Sequence, residues 1–378
     1  MKILHCHSTF NLGGKEARAV RLMNIFADAA AHTVLSAVPN AFGARAAIED
    51  TVSVDFPTDA PPLHGKPSIG RYRKLARYLQ GFDLVLTYNW GAMDAVGARR
   101  LFPRNCPPLI HHEDGFNEDE SEKLNWKRNA FRRLMLPTAH AMVVPSERLE
   151  GIARTVWKVG DPIRIGNGIR VDDYAPTPTP DAIPGLNKGP DDVVIGTLAG
   201  LRAIKNLPRL VRAAATLGPQ VKLVIVGEGP EREAIMAEAA RLGMADRLIM
   251  PGFLAEPNRY VGLFDIFALS SDSEQFPISL VEAMAAGLPA VSTDVGDVRA
   301  IFAVAGRKFI VPREDETALA DALARLVADP ALRHHIGDEN RAKARANFDE
   351  ATMVARYWDL YAGAAARTGP KSSSSLSK

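Results

Sequence analysis

Cysteine is scarce in this chain, which has only Cys6 and Cys106 in 378 residues. Two thiols so far apart exclude a disulfide-rich scaffold and a cysteine-based zinc site, and they are typical of a reducing compartment. Long apolar runs are also missing, since no window offers the ~18–20 uninterrupted apolar residues that a transmembrane helix needs. Residues 1–7 read as a short strand and lack the roughly 7–15-residue apolar core of a signal peptide. We therefore expect a cytoplasmic protein.

An excess of charge of one sign is missing as well, because 46 Lys and Arg oppose 44 Asp and Glu, for a net charge of +2. This balance excludes a nucleic-acid binder that works through bulk charge. The hydrophobic fraction is 47% and the charged fraction 24%, which excludes wholesale disorder. At roughly 100–200 residues per domain, the length predicts about two domains.

Short segments rich in Val, Ile and Leu alternate with helical stretches in both halves of the chain. Strands separated by helices indicate parallel sheets that are covered on both faces. The sequence therefore predicts an α/β protein of two doubly wound, Rossmann-like domains. The predicted strands lie at residues 2–6, 84–87, 109–112 and 141–144, and at residues 193–198, 222–226, 266–269 and 290–292.

A proline-rich segment separates the two predicted domains, which span residues 1–172 and 193–349. This segment, residues 173–192, holds five prolines and little apolar content, so we expect a stiff, extended linker. Residues 350–366 are predicted to form an amphipathic helix, which we expect to pack back on the first domain. The serine-rich tail, residues 367–378, is predicted to be disordered.

Two loops that follow predicted strands carry groups suited to an anion, and such loops are where open parallel sheets bind ligands. Gly13 and Gly14 open a helix whose free amides and dipole favour negative charge. The alternative is a tight turn without a ligand. In the second half, Arg202 and Lys205 follow a strand, where two cations suit a diphosphate. The alternative there is a solvated basic loop.

Two glutamates, Glu274 and Glu282, are separated by seven residues and lead into a segment of small residues. Carboxylates accept hydrogen bonds from vicinal hydroxyls, so the pair suits two sugar rings of one ligand. For Glu282 there is a strong alternative, because residues 279–282 have the pattern of a capping box in which the glutamate caps its own helix. Glu274 has no nearby helix start to cap.

At this segment the chain resembles the family-4 retaining glycosyltransferases, which have the GT-B fold. The resemblance rests on Glu274 and Glu282 with the Ala-Met-Ala-Ala-Gly-Leu-Pro sequence of residues 283–289. It extends in the expected order to residues 13–16, 166–172, 226–230 and 251–253. The resemblance implies two Rossmann-like domains facing each other across a cleft, with the acceptor in the N-terminal domain and a nucleotide-sugar in the C-terminal domain.

The resemblance also implies roles for the matched residues of the donor site. Glu282 would bind the ribose hydroxyls of the nucleotide-sugar, and Glu274 would contact the donor sugar. The remaining residues that would line the nucleoside and sugar pocket are Phe253, Phe276, Pro277, Ile278 and Ser279.

The diphosphate would be neutralised by Arg202 and Lys205, with Gly13 and Gly14 closing on it from the other domain. This chain departs from the commonest family pattern, because Gly200 stands where the phosphate-binding arginine precedes the lysine by five residues. We expect Arg202 to replace that arginine, as in relatives that read Leu-Arg-x-x-Lys-Asn.

A second departure concerns the group near the anomeric carbon. Many relatives have a histidine just before a glycine at this point, whereas this chain has Asp114 there and His112 two residues earlier. Asp114 is the first choice for this catalytic role and His112 the second. The alternative for His112 is a core histidine that is bonded to the backbone.

The reaction implied is transfer of a sugar from an NDP-sugar with retention at the anomeric carbon, in a hexosyltransferase-type enzyme (EC 2.4). A UDP-sugar is favoured and a GDP-sugar is next, and the acceptor would be a lipid or saccharide of bacterial envelope glycolipid or polysaccharide synthesis. No convincing Asp-x-Asp motif is present, so we expect activity without a metal or cofactor. The alternatives are a nucleotide-sugar epimerase, a phosphorylase, or a catalytically silent GT-B binding protein.

The balanced total conceals a basic N-terminal half, since residues 1–178 hold 23 Lys and Arg against 19 Asp and Glu. Part of this excess lies in an acid-free, partly apolar segment that suits an anionic membrane surface or acceptor. We therefore expect a peripheral enzyme on the inner face of the cytoplasmic membrane, with a solvated helix as the alternative. The residues assigned to this surface are Lys123, Trp126, Lys127, Arg128, Arg132 and Arg133.

Overall fold

The computed structural model describes residues 1–66, 68–115 and 125–366. The chain divides into two compact units: unit 1 holds residues 1–166 and the chain from Val354 onward, and unit 2 holds residues 167–353. Lys123 and the predicted tail, residues 367–378, lie outside the described residues. Within the described ranges, no helix is both long and apolar enough to cross a membrane.

Unit 1 is built on a parallel sheet of seven strands. These are β1 (Lys2–His7), β2 (Ala31–Ser36), β3 (Val54–Asp55), β4 (Leu84–Tyr88), β5 (Leu109–His112), β6 (Ala141–Val144) and β7 (Ile163–Arg164). They pair in parallel in the order β3-β2-β1-β4-β5-β6-β7. The helices between them are α1 (Gly14–Ile25), α2 (Ile69–Leu79), α3 (Met93–Leu101), α4 (Trp126–Met135) and α5 (Glu147–Thr155).

Unit 2 is built on a second parallel sheet, of six strands. These are β8 (Val193–Leu198), β9 (Val221–Val226), β10 (Leu248–Gly252), β11 (Ile266–Leu269), β12 (Ala290–Thr293) and β13 (Ile310–Val311). Their order is β10-β9-β8-β11-β12-β13. The helices are α6 (Leu207–Ala215), α7 (Arg232–Arg241), α8 (Ile278–Ala285), α9 (Val298–Ile301), α10 (Glu316–Ala328) and α11 (Pro330–Asn347).

The central strands are apolar on both faces because helices cover each sheet from both sides. All five residues of β4 and the first five of β8 are buried. These two sheets confirm the predicted pair of doubly wound domains. The predicted strands do not include β3, β7 and β13, because each has only two residues and therefore no periodicity to detect. They also omit β2, which begins with Ala-His-Thr, and β10, which ends with Pro-Gly, because these residues interrupt the apolar pattern.

The proline-rich segment packs on unit 2 and does not run as a free spacer. Ile183 and Leu186 are buried in the core of unit 2, beside Val171 and Tyr174. The division between the units falls after Gly166, six residues before the predicted domain boundary at residue 172. Prolines stiffen the backbone but leave the apolar side chains between them free to pack. The number of prolines alone therefore predicts an extended linker where the structure has a packed segment.

The last described helix is α12 (Glu350–Ala366), whose residues from Val354 onward belong to unit 1. Met353, Tyr357 and Tyr361 are buried, as the predicted apolar face requires. Within unit 1 the Tyr361 hydroxyl lies 2.8 Å from Nε2 of His112, so this helix is hydrogen-bonded to the end of β5.

Candidate functional site

Each sheet reverses its strand order at one point, and such a switch point opens a crevice at the carboxyl ends of the strands. In unit 1 the reversal lies between β1 and β4, and in unit 2 it lies between β8 and β11. The loops that follow these four strands hold most of the residues that the sequence analysis identifies.

In unit 2, the loops after β8 and β11 are hydrogen-bonded to each other. The amide of Asp272 donates to the carbonyl of Ile204 at 2.9 Å. The Asp272 carboxylate accepts from Asn206 at 3.0 Å and from Arg209 at 2.8 Å. Asn206 itself has a left-handed backbone, with φ of 44°, and it starts α6. These contacts fix the two loops that carry Lys205 and Glu274.

Lys205 and Glu274 form an ion pair in which Nζ lies 2.5 Å from Oε1. The Ser271 hydroxyl donates to the same carboxylate oxygen at 2.7 Å. Only 17% of the Lys205 side chain and 11% of the Glu274 side chain are exposed. The structure therefore brings together two of the predicted donor-site residues as an ion pair.

Gly296, which the sequence does not single out, packs closely against the backbone of the Glu274 loop. Gly296 has φ of +51°, and a Cβ at this position would lie 2.5 Å from the carbonyl oxygen of Glu274. The next residue, Asp297, donates its amide to the carbonyl of Gln275 at 3.1 Å. A glycine between a predicted strand and a helix was the available signal for this close approach.

The capping-box interpretation of Glu282 is wrong, because α8 begins two residues earlier than that interpretation requires. Pro277 is the N-cap, so Ser279 lies inside the first turn and Glu282 lies in the helix interior; among the described residues no side chain caps this end. Glu282 instead accepts a hydrogen bond from Tyr174. Burial raises the pKa of Glu282 to about 7, and the Tyr174 bond opposes this rise.

Arg202, the predicted substitute for the family arginine, is exposed at the carboxyl end of β8. A side chain at Gly200 would begin 3.5 Å from Nε of Arg202. The Arg202 guanidinium therefore covers the place where a side chain of residue 200 would emerge.

The other predicted donor-pocket residues lie at the same carboxyl edge of the unit 2 sheet. Phe253 follows β10 and is 74% exposed, which leaves its ring open for stacking. Phe276 packs edge-on against Phe348, with a centroid separation of 5.8 Å. Ile278 and Ser279 form the half-buried first turn of α8.

In unit 1, Asp114 lies just beyond β5 and forms a two-armed ion pair with Arg18 of α1, at 2.6 and 2.8 Å. The Asp114 amide also donates to Oδ1 of Asn89 at 2.8 Å. Burial would raise the pKa of Asp114, but the charge and hydrogen bonds of Arg18 hold it below the ordinary carboxyl value. No pattern in the sequence points to Arg18, because a lone arginine within a helix belongs to no motif.

His112 is buried in unit 1, which agrees with the core position of the alternative interpretation, but the hydrogen bond of its Nε2 is to a side chain. Its Nε2 is bonded to Tyr361 and its ring stacks on Tyr88 with a centroid separation of 4.7 Å. Burial and the nearby Arg18 lower the pKa of His112 to about 3, so the ring is neutral at physiological pH. Of the two candidates for the group near the anomeric carbon, Asp114 is the more accessible.

Gly13 and Gly14 form the exposed start of α1, with Gly13 as an extended N-cap. The first-turn residue Glu16 is buried and paired with Lys15. The backbone amides at the start of α1 are therefore exposed at the carboxyl end of β1. This is the position at which the sequence predicts anion binding by Gly13 and Gly14.

The predicted membrane surface is only partly exposed. Trp126, Lys127 and Arg133 lie on the outside of α4, and Trp126 is 74% exposed. Arg128 is half-buried, and its guanidinium stacks on the ring of Trp90 at 5.5 Å.

The prediction that Arg132 belongs to this surface is wrong. Arg132 is 1% exposed, and its Nε lies 3.3 Å from the buried carboxylate of Glu113. Its guanidinium also lies over Trp90 and Trp157, at 5.2 and 5.0 Å. The helix turns this arginine inward because the fully buried Glu113 requires a positive partner.

Comparison with known proteins identifies the domain that carries the Lys205–Glu274 pair. Residues 179–343 match the family model described as "Glycosyl transferases group 1". The matched residues lie within unit 2. This domain contains Arg202, Lys205, Glu274 and Glu282 on the loops described above.

Two curated relatives share part of the chain. Identity is 28% over 166 residues with N-acetyl-alpha-D-glucosaminyl L-malate synthase of Bacillus anthracis, covering 43% of this chain and 44% of that protein. It is 30% over 153 residues with the N-acetylgalactosamine-N,N'-diacetylbacillosaminyl-diphospho-undecaprenol 4-alpha-N-acetylgalactosaminyltransferase of Campylobacter jejuni, covering 40% and 41%. The chain spans less than half the length of these relatives.

The whole architecture has a structural counterpart. The crystal structure of Anabaena Alr3699/HepE in complex with UDP superposes with a TM-score of 0.78 at 20% identity, covering 96% of this chain and 100% of that one. At this identity the likeness shows the fold, and it confirms the predicted GT-B class of two Rossmann-like, parallel-sheet units.

Proposed function

We propose that the chain is a family-4 retaining glycosyltransferase (EC 2.4) that transfers a sugar from an NDP-sugar to a lipid or saccharide acceptor. A UDP-sugar is the favoured donor and a GDP-sugar the next. The observation that carries the proposal is the pairing of Lys205 with Glu274 at the switch point of a group 1 glycosyltransferase domain, with Glu282 on the following helix. One cation and two carboxylates there suit the diphosphate, the donor sugar and the ribose of one ligand.

In this proposal the donor replaces an internal ion pair. Lys205 turns from Glu274 to the diphosphate, and the released carboxylate accepts hydrogen bonds from sugar hydroxyls. As the glycosidic bond breaks, negative charge grows on the leaving diphosphate, so Lys205 and Arg202 stabilise the transition state more than the ground state. The position of the Arg202 guanidinium over Gly200 supports its role as a substitute for the missing family arginine.

We assign the role near the anomeric carbon to Asp114. Its ion pair with Arg18 keeps it a carboxylate, which suits the positive charge that develops on a sugar ring as the leaving group departs. The leaving phosphate takes the acceptor proton, so no separate strong base is required. Arg202 and Lys205 take the electrostatic role of a metal ion, and the reaction uses no metal or cofactor.

We also propose that the acceptor belongs to bacterial envelope glycolipid or polysaccharide synthesis and that the enzyme associates with the membrane surface. One relative's name includes a diphospho-undecaprenol carrier. The outer face of α4 supports surface binding, since Trp126, Ala130, Arg133 and Leu134 are all exposed at helical spacing. In flotation with anionic vesicles at low salt, the protein should rise with the lipid, and Trp126→Ala should weaken this.

A screen for nucleotide-sugar turnover tests the proposed activity. UDP-, GDP- and ADP-sugars are incubated with the full chain, with and without an acceptor, and nucleotide release is measured. We expect release from one nucleotide class, accelerated by acceptor, with retained anomeric configuration in the product. Conversion of the sugar without acceptor would indicate an epimerase, and a requirement for inorganic phosphate would indicate a phosphorylase. Binding without turnover would indicate a catalytically silent protein.

A further inference from the structure

Asn89 has a backbone conformation that an asparagine rarely adopts. It directly follows β4, with φ of 53° and ψ of −168°. Residues other than glycine keep such a conformation only where the surrounding structure holds them in it, and such residues cluster at functional sites. Glycine would adopt it without strain. The presence of an asparagine here therefore points to a role of its side chain.

The Asn89 side chain completes the hydrogen bonding between β4 and β5. The backbone amide of Asn89 donates to the carbonyl of His112 at 2.8 Å, which continues the parallel ladder beyond the end of β4. In a regular parallel ladder the Asp114 amide would next donate to the backbone carbonyl of Asn89. It donates instead to Oδ1 of the Asn89 side chain, also at 2.8 Å. The side chain therefore takes the place of the residue's own carbonyl.

The backbone carbonyl of Asn89 has a different partner. It accepts from the amide of Ala92 at 3.3 Å, and it thereby starts the short helical turn Trp90–Ala92. The chain has to turn here because Gly91 packs directly on Ser8: a Cβ on Gly91 would lie 2.6 Å from the Cα of Ser8. The strained backbone thus directs the carbonyl into the turn and leaves the bond between the strands to the side chain.

Asp114 is held at two points, and the structure beneath it is fixed. Its carboxylate is held by Arg18, and its backbone amide is held by Asn89. The rings of Tyr88 and His112, the last residues of β4 and β5, stack with a centroid separation of 4.7 Å. Two separate anchors, one on the backbone and one on the side chain, set both the place and the direction of the Asp114 carboxylate.

We propose that Asn89 is a positioning residue for Asp114, whose side chain sets the backbone at the end of β5 and thereby directs the carboxylate. The inference rests on the proposed function for the part that Asp114 plays in the reaction, but the placement of residue 114 by Asn89 does not depend on it. A misplacement of about 1 Å in a reacting group can cost about a hundredfold in rate. The donor-site residues Lys205, Glu274 and Glu282 belong to unit 2, so loss of the Asn89 bond should lower kcat and leave donor KM nearly unchanged.

Asn89→Gly tests the proposal, because glycine relieves the backbone strain but cannot accept from the Asp114 amide. We expect kcat for nucleotide release to fall by about tenfold or more, with donor KM within about twofold of that of the unmodified protein. The unfolding midpoint should be at least as high as in the unmodified protein. Hydrogen exchange of the Asp114 amide should become about tenfold faster or more. Asn89→Asp keeps an acceptor oxygen and should keep this exchange slow.

A matched control is Asn105→Gly. Asn105 also has a positive φ, of 58°, but it is exposed and precedes β5, at the opposite end of the strand from Asp114. This variant should retain both kcat and the slow exchange of the Asp114 amide. Unchanged exchange in Asn89→Gly would overturn the proposal, and so would a sharply lowered unfolding midpoint, which would make Asn89 a structural residue only.

Asp114→Asn, assayed in parallel, separates the positioning role from the proposed function. If Asp114→Asn loses activity but Asn89→Gly exchanges faster with unchanged kcat, the positioning role is refuted. If Asp114→Asn keeps normal kcat and Asn89→Gly still exchanges faster, the assigned role of Asp114 fails, whereas the placement of residue 114 by Asn89 is supported.

Discussion

Arg18 and Asp114 join α1 to the end of β5 through a buried pair of charge-assisted contacts, 2.6 and 2.8 Å long. Burial alone would favour the neutral acid, but the guanidinium lowers the pKa of Asp114 below its ordinary value. The stability that this pair contributes is present above the ordinary carboxyl pKa and is lost as the pH falls through the lowered one. At neutral pH the group is therefore a carboxylate.

Removing Arg18 should raise the pKa of Asp114. We expect Arg18→Met to move the acidic limb of the kcat profile to higher pH and to destabilise the fold by about 3–5 kcal/mol, because a buried carboxylate loses its partner. The double variant Arg18→Met/Asp114→Asn should recover most of that stability. Urea unfolding and pH–rate profiles measure both effects, and Arg18→Lys retains a charge if the methionine variant folds poorly. If the acidic limb does not shift, Arg18 does not set the pKa that limits activity at low pH.

Glu282 should make the protein less stable at high pH. Because its pKa is raised to about 7, the native state retains a proton that the unfolded chain has already lost, so stability declines as the pH rises between the two values. Glu282→Gln should abolish that decline, gain about 1–3 kcal/mol at pH 8, and weaken donor binding.

Thermal unfolding at about pH 5 and pH 8 measures the effect of Glu282. The matched control is Glu314→Gln, since the Glu314 side chain is 81% exposed. A pH dependence that is equal in Glu282→Gln and in the unmodified protein would show that Glu282 does not carry the predicted proton.

The buried histidines of unit 1 should make it sensitive to acid. Burial lowers the pKa of His32 to about 4 and that of His112 to about 3, and it lowers those of His5 and His7 as well. In the unfolded chain these histidines become protonated near about pH 6.5, whereas in the native state they stay neutral to lower pH. The free energy of unfolding therefore falls as the pH drops below about 6.5. Urea midpoints at about pH 7 and pH 5 should differ, and His32→Asn should reduce the difference. A midpoint independent of pH would contradict this.

Turnover should survive removal of metal ions, because Arg202 and Lys205 carry the positive charge that a metal would otherwise supply. Nucleotide release in excess EDTA should equal that of the untreated protein, and added Mg²⁺ should change it little. Loss of activity in EDTA with recovery in Mg²⁺ would show that the two cations are insufficient.

The alternation of apolar strands with helices is the part of the fold that can be predicted from the sequence. Strands of four or more apolar residues, such as β4 and β8, are buried on both faces and are recognisable from composition alone. The pairing of Lys205 with Glu274 is less visible, because it depends on two loops that are 69 residues apart and meet only when β8 and β11 become neighbours.

Other features depend on three-dimensional context that no local pattern contains. The start of α8 at Ile278 overturns a capping box that is locally reasonable, because Pro277 takes the N-cap position. Arg132 looks like a surface cation in the sequence, but a buried Glu113 draws it inward. Arg18 has no motif at all, and only its distance to Asp114 identifies it.

The action of Lys205 and Glu274 on a nucleotide-sugar is measured by kcat/KM for nucleotide release from the preferred donor. Lys205→Ala and Glu274→Ala should each lose about a hundredfold or more while retaining the unfolding midpoint. The exposed Lys308→Ala of the same unit should match the unmodified protein. Near-normal kcat/KM in both Lys205→Ala and Glu274→Ala would show that this ion pair does not act on the nucleotide-sugar.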